Sequence, residues 1–317
     1  MKTAIVVSGG DAPGINAAID CYARLAARKG DQVVGALGGF VGLLNGRLAA
    51  IDLRSLQTLV GRGGSILPSS RSPVLQESDA RVRLQAVVAR HRIDNLLLFG
   101  GDGTIRFAGP LLEAWGIPHL VLPTTIDNDV PGTDYTLGHD SACNFAIQAV
   151  EGIRATATAL PGRIFMLETL GAPTGHLALA IAYASGAHLA LLPEYPLELD
   201  WLASRLKRIV AQEGYALVLL SEAYPQIDRL VAEIPERAGI RIRYSALGHA
   251  QRGADASQRD RVVARDMSRV AYCAFKAGAQ GGLVVSRAGA VLLHPGRLPG
   301  GDKPPPDRDL YEFVNQL

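Results

Sequence analysis

Short aliphatic runs ended by glycine, serine or proline alternate along this chain with longer stretches whose apolar residues recur every three or four positions. Residues 3–7 form such a run, cut off by Ser8-Gly9-Gly10, and residues 15–28 follow with Ile15, Ile19, Tyr22 and Ala26 at helical spacing. Residues 32–37, 95–99 and 119–122 read as further strands, with crossover helices at 79–92 and 105–115. The alternation continues with strands at 163–168, 188–192, 216–220 and 282–285, and helices at 141–155, 199–212 and 258–277. Strands that are apolar throughout, rather than at every second position, belong in a mostly parallel sheet covered on both faces. A Pro/Gly-rich stretch at 293–306, LHPGRLPGGDKPPP, precedes a short terminal segment. The pattern predicts two α/β halves, whose ligands sit beyond the carboxyl ends of the strands.

Composition narrows the classes of function. At 317 residues with 48% apolar residues, the chain is long enough for two domains and apolar enough for continuous cores. Its 32 basic and 30 acidic side chains nearly cancel, which gives no reason to expect a nucleic acid or an anionic membrane as partner. Arginine dominates the basic residues, with lysine only at Lys2, Lys29, Lys207, Lys276 and Lys303. That bias suits phosphate binding, and it equally suits a biased genome. The three cysteines, Cys21, Cys143 and Cys273, have no ligand-like spacing and fit a reducing compartment. With no apolar run of membrane-spanning length and a strand-like start, a cytoplasmic location is expected.

Three polar loops follow strands. Ser8-Gly9-Gly10-Asp11-Ala12-Pro13-Gly14 runs into a helix, where glycines let a phosphate approach the backbone and free N–H groups attract anions. A tight turn without ligand has the same composition. Gly100-Gly101-Asp102-Gly103-Thr104 again joins strand to helix, and neither loop is a Walker or dinucleotide fingerprint. A carboxylate among phosphates needs a cation between them, so Asp102 is read as a magnesium-side residue and Thr104 as a hydroxyl donor. The third loop, Pro123-Thr124-Thr125-Ile126-Asp127-Asn128-Asp129, places two carboxylates and an amide at one strand end. Unless they cap turns, such groups require solvent, metal or ligand.

Together GGDAPGINAAI, GGDGT, TIDNDVPGTDYTLG and LGHAQRG, in this order and spacing, resemble the phosphofructokinase family over essentially the whole chain. The resemblance implies two Rossmann-like three-layer α/β/α domains with mostly parallel sheets. Residues 1–138 and 251–301 would bind the nucleotide or polyphosphate, and 139–250 with 302–317 the sugar phosphate. It implies Asp127 as the base for the sugar 1-hydroxyl, assisted by Thr125, with Arg71 at the transferring phosphate. Asp102 and Asp129 would stand on the Mg²⁺ side, and Gly10, Phe40, Gly101, Gly103 and Thr104 would line the donor site. Sugar-phosphate contacts map to Thr125, Asp127, Asp129, Leu170, Gly171, Glu222, His249 and Arg252. Arg163 and Arg243 map to residues donated across the interface of a homotetramer. Convergent forks at Arg243, His249 and Arg252 suit a 6-phosphate.

Pyrophosphate-using relatives usually read GGDD and PKTIDND, whereas this chain has Gly103 and Thr124. An open, uncharged position 103 favours ATP over pyrophosphate as donor, and Phe40 is either an adenine wall or a core aromatic. Two departures stand out. Relatives carry an arginine at the transferring phosphate where this chain has Ala172, a loss worth about 10²- to 10⁴-fold in rate. The expected activity is therefore ATP-dependent phosphorylation of fructose 6-phosphate to the 1,6-bisphosphate. The alternatives are a weakly catalytic or regulatory subunit working beside a catalytic paralogue, and a kinase for another sugar or polyol phosphate, with ATP or pyrophosphate as donor. At positions usually basic in the bacterial effector site stand Asp20, Glu213 and Gly214, with Arg24 and Arg154 retained, so control by ADP or phosphoenolpyruvate is expected to be weak or absent.

Overall fold

The computed structural model describes residues 1–297 and 301–317. The central part of the Pro/Gly-rich stretch, residues 298–300, lies outside the described residues. In chain order the strands are β1 Lys2–Val7, β2 Gln32–Ala36, β3 Leu48–Ala50, β4 Asn95–Gly100, β5 His119–Thr125 and β6 Leu137–Gly138. They continue with β7 Arg163–Thr169, β8 Leu189–Leu191, β9 Tyr215–Ser221, β10 Arg241–Ala246, β11 Gly282–Arg287 and β12 Ala290–Pro295.

Two compact units divide the chain. The first comprises Met1–Ser141 and Arg252–Lys303, the second Ala142–Gln251 and Pro304–Leu317. The first unit's sheet runs β12-β11-β5-β4-β1-β2-β3, with β6 beside β5. Its centre is parallel, and the antiparallel partners β3 and β12 sit at its edges. All six residues of β4 are buried. Leu96 and Leu98 face a cluster with Val6 and Val121 that is closed by Leu84, Val87 and Leu112 from the overlying helices. Each fully buried leucine contributes about 2 kcal/mol. On the helix Ile15–Arg28, the predicted stripe Ile15, Ile19, Tyr22 and Ala26 is wholly buried. That helix packs against Gln258–Lys276, where Ser268 Oγ donates to the carbonyl of Ala18 at 2.8 Å.

The second unit carries a parallel four-stranded sheet ordered β10-β7-β9-β8. Ile164, Met166, Val218 and Leu220 pack beneath Leu202, Leu206 and Ile209 of the helix Leu199–Glu213. The terminal helix Arg308–Asn315 finishes one edge: Asn315 accepts from the Ala190 N–H at 2.9 Å and donates to the Ala190 carbonyl at 3.2 Å. A side-chain amide thus satisfies backbone groups that an edge strand would otherwise expose. Among the described residues, no helix is long and apolar enough to cross a membrane.

One buried carboxylate fixes the first unit's connections. Asp260 has no exposed surface and accepts from Tyr135 Oη, the Gly138 N–H, and both the N–H and hydroxyl of Ser141. Its own N–H is capped by Ser257. Asp260→Ala would leave these donors without an acceptor, and a loss of roughly 3–5 kcal/mol is expected by chemical denaturation. An unchanged midpoint would contradict this role.

Candidate active site

The first unit's strand order reverses between β1 and β4, and the loops after β1, β4 and β5 open into one cavity of about 530 Å³. Gly9, Gly10, Gly101, Asp102, Gly103, Thr104, Thr124, Thr125, Asp127 and Asp129 line it, together with Arg71 and Arg252. The first glycine turn is pinned from both sides, since the Gly9 N–H donates to the Ser70 carbonyl and Ser69 Oγ donates to the Gly9 carbonyl. This places Arg71 beside the turn. A Cβ built on Gly10 would lie 2.8 Å from Arg252 Nη1 and 3.2 Å from Arg71 Nη2, so only glycine leaves both guanidinium groups in place. The helix start expected to attract anions is instead covered: a Cβ at Gly14 would meet Leu137 at 2.7 Å. The turn at Gly9 and Gly10, rather than the helix N-terminus, faces the cavity.

The acidic loop is held by its own side chains. Thr125 Oγ1 donates to Asp127 Oδ2 at 2.8 Å, and Arg252 Nη2 lies 4.0 Å from the same oxygen. Asn128 takes a left-handed backbone with φ 52°, and its Oδ1 accepts from the Thr136 N–H at 3.0 Å. Lys303 donates to the Asn128 carbonyl. Burial, with the neighbouring Asp127 carboxylate second, pushes the Asp129 carboxyl up to about 6. Asp129 Oδ1 is buried and accepts no hydrogen bond. Asp102 is paired with Arg106, whose Nε donates to both carboxylate oxygens at 2.6 Å.

Among the described residues, no group of three or more His, Cys, Asp or Glu side chains is placed to hold a metal ion by itself. A magnesium ion bound through one or two carboxylates, with donor phosphate oxygens and water completing its shell, nevertheless fits this set. The unpartnered Asp129 oxygen is the atom that such an ion would satisfy.

The other half of the cavity is apolar, walled by Leu75, Phe107, Ala108 and Leu111. Phe40 also lines it but is 5% exposed and belongs to the core cluster, whereas Phe107 is 62% exposed. The expected helix after Asp102 begins as a π-turn, Thr104–Ala108, before the α-helix Gly109–Ala114. Sequence reasoning passed over Phe107, Arg106 and Lys303. The available signals were an aromatic just past the glycine turn and a lysine in a lysine-poor chain.

The remaining expected residues lie in the second unit. Arg163 and Arg243 share one face of adjacent strands and line a cavity of about 400 Å³. Among the described residues no carboxylate forms a salt bridge with either, and Arg163 Nη1 is buried without a partner. Glu222 accepts from the N–H groups of Gly171 and Ala172, both at 3.2 Å, while the Leu170 N–H donates to Gln251 at 3.0 Å. Glu222, Arg243 and His249 are exposed. Asp20 accepts from Arg24 at 2.7 Å and Glu213 pairs with His188 at 2.9 Å, so both carboxylates have partners of their own.

A doubly wound sheet whose strand ends carry glycine turns, guanidinium groups and carboxylates around one cavity places the chain among the α/β proteins with a crevice at the switch point. The phosphofructokinase family profile matches residues 2–275. The ATP-dependent 6-phosphofructokinase of Coxiella burnetii is 34% identical over 317 residues, covering 99% of this chain and 95% of that one. ATP-dependent 6-phosphofructokinase 1 of Thermus thermophilus is 36% identical over 297 residues, with coverage of 93% and 92%. The crystal structure of Pichia pastoris phosphofructokinase in the T-state superposes with a TM-score of 0.86 at 27% identity, over 93% of this chain and 34% of that one. This chain thus spans about a third of the Pichia chain. It belongs to the phosphofructokinase family.

The Asp129 environment has a measurable consequence. A carboxyl whose folded pKa is raised costs nothing while both states are protonated, below about pH 4, and its full penalty is present above about pH 6. Asp129→Asn is therefore expected to stabilise the ligand-free protein at pH 7 by on the order of 1–3 kcal/mol, with no gain at pH 4. Denaturation at the two pH values checks this, and equal effects at both would contradict it.

Proposed function

We propose that this chain is an ATP-dependent phosphotransferase that converts fructose 6-phosphate to fructose 1,6-bisphosphate. The observation carrying the reading is the two-part cavity, in which a cationic and acidic half suited to a metal-bound polyphosphate adjoins an apolar half suited to a nucleobase. Pyrophosphate has no use for the apolar half. A Cβ on Gly103 meets nothing within 4 Å, so space remains for the donor's α-phosphate. Thr124 turns its hydroxyl back to the Leu122 carbonyl at 2.8 Å and offers the donor no charge.

In this mechanism Asp127 takes the proton of the sugar 1-hydroxyl as its oxygen attacks the γ-phosphorus, and the bond to the β–γ bridging oxygen breaks. Thr125 orients the Asp127 carboxylate through the 2.8 Å hydrogen bond. Arg71 holds the transferring group, and Gly10 lets its oxygens approach the backbone. Asp102 and Asp129 would hold Mg²⁺, whose chemistry there is neutralisation of the donor's charge. Arg252, Glu222, His249, Leu170 and Gly171 would hold the sugar phosphate, and a homotetramer would supply Arg163 and Arg243 from a neighbouring copy. The unmatched charge on those two arginines supports that assignment.

Ala172 favours a second reading, a weakly catalytic subunit, because the residue is exposed and brings no cation to the turn that Glu222 holds. Steady-state assays with both donors separate these readings. Turnover with ATP and fructose 6-phosphate is expected to fall about 10²- to 10⁴-fold in Asp127→Ser. In Gly103→Asp, ATP use should fall on the order of 10²-fold through like-charge repulsion. A wild-type protein active only with pyrophosphate would overturn the donor, and one that binds the sugar phosphate without turnover would establish the second reading.

A further inference from the structure

Asp102 does not face the cavity as an open carboxylate. Four residues on, Arg106 covers both of its oxygens, and the same guanidinium donates through Nη2 to the Gly301 carbonyl and to Asp302 Oδ1, each at 2.9 Å. One side chain thereby ties the start of the π-turn to the segment that follows β12. The two paired side chains remain 36% and 29% exposed, so solvent screens the pair and it can be exchanged. A divalent cation approaching those two oxygens in the carboxylate plane competes with the guanidinium for the same lone pairs.

We propose that Arg106 is a latch on the donor site, holding Asp102 in the ligand-free protein and releasing it when a metal–polyphosphate complex arrives. This rests on the reading of Asp102 as a metal-side residue. The latch lowers affinity for the metal-bound donor and keeps the carboxylate from standing uncompensated when no donor is present. Arg106 therefore acts with opposite sign on two forms of one ligand. Its loss exposes Asp102 to a bound cation, which helps the metal complex, and leaves a bare negative charge, which hinders the metal-free polyphosphate.

The test uses the full chain with Mn²⁺ and a non-hydrolysable ATP analogue. Binding is measured by electron paramagnetic resonance of free Mn²⁺ and, in chelator, by calorimetry of the analogue alone. Arg106→Met and the milder Arg106→Gln are expected to bind the Mn²⁺–nucleotide complex about 3- to 10-fold more tightly and the metal-free nucleotide more weakly. Shifts of the same sign, or no gain with Mn²⁺ in either variant, overturn the latch. Asp102→Asn separates this from the underlying reading. It should weaken the Mn²⁺ complex at least about 10-fold, and if it has no effect both the metal-side assignment and the latch fall.

Discussion

Like charges gathered in a partly buried space repel one another, and the ends of β4 and β5 gather three carboxylates, Asp102, Asp127 and Asp129. In Asp129, burial first and then the charge of Asp127, with a smaller effect of Asp102, push the carboxyl up to about 6. Each carboxylate has a different counterweight. Asp127 has Thr125 and the more distant Arg252, Asp102 has Arg106, and Asp129 has the field of Lys303. Under the proposed function, a cation entering with a polyphosphate would relieve this repulsion.

Geometry brings these groups together. Parallel strands β1, β4 and β5 end at one side of the sheet, so loops far apart in sequence open into the same cavity. Close packing of Gly10 beneath Arg71 and Arg252 sets cations opposite the carboxylates. Under the proposed function, the apolar wall around Phe107 is what would separate donors that carry a base from donors that do not. In the second unit, Glu222 organises the turn at Gly171 and Ala172 through backbone N–H groups. Those two hydrogen bonds hold the shape of the turn.

Much of this architecture was legible before any coordinates. The buried strands β1, β4, β5, β7 and β9 each carry an unbroken run of apolar residues, and the helix Ile15–Arg28 has a single clean stripe, so burial and period agree. The strand β10 has no apolar run to delimit it, because RIRYSA is a sheet edge with five of its six residues exposed. The helix Ile227–Ala238 was hidden by Pro235, which normally argues against a helix interior. The carboxylates of the site were readable from loop composition. Phe107 and Lys303 left only weak traces there and Arg106 none, since their importance comes from contacts made in space. The π-turn that presents Arg106 and Phe107 has no distinct sequence period.

The central claim is that Asp127 meets the reacting hydroxyl in the space these loops enclose. A crystal structure with Mg²⁺, a non-hydrolysable ATP analogue and fructose 6-phosphate tests it directly. The account predicts an Asp127 carboxylate oxygen about 3 Å from the sugar 1-hydroxyl, which in turn points at the γ-phosphate. A ternary complex in which both ligands are bound and Asp127 contacts neither would contradict it.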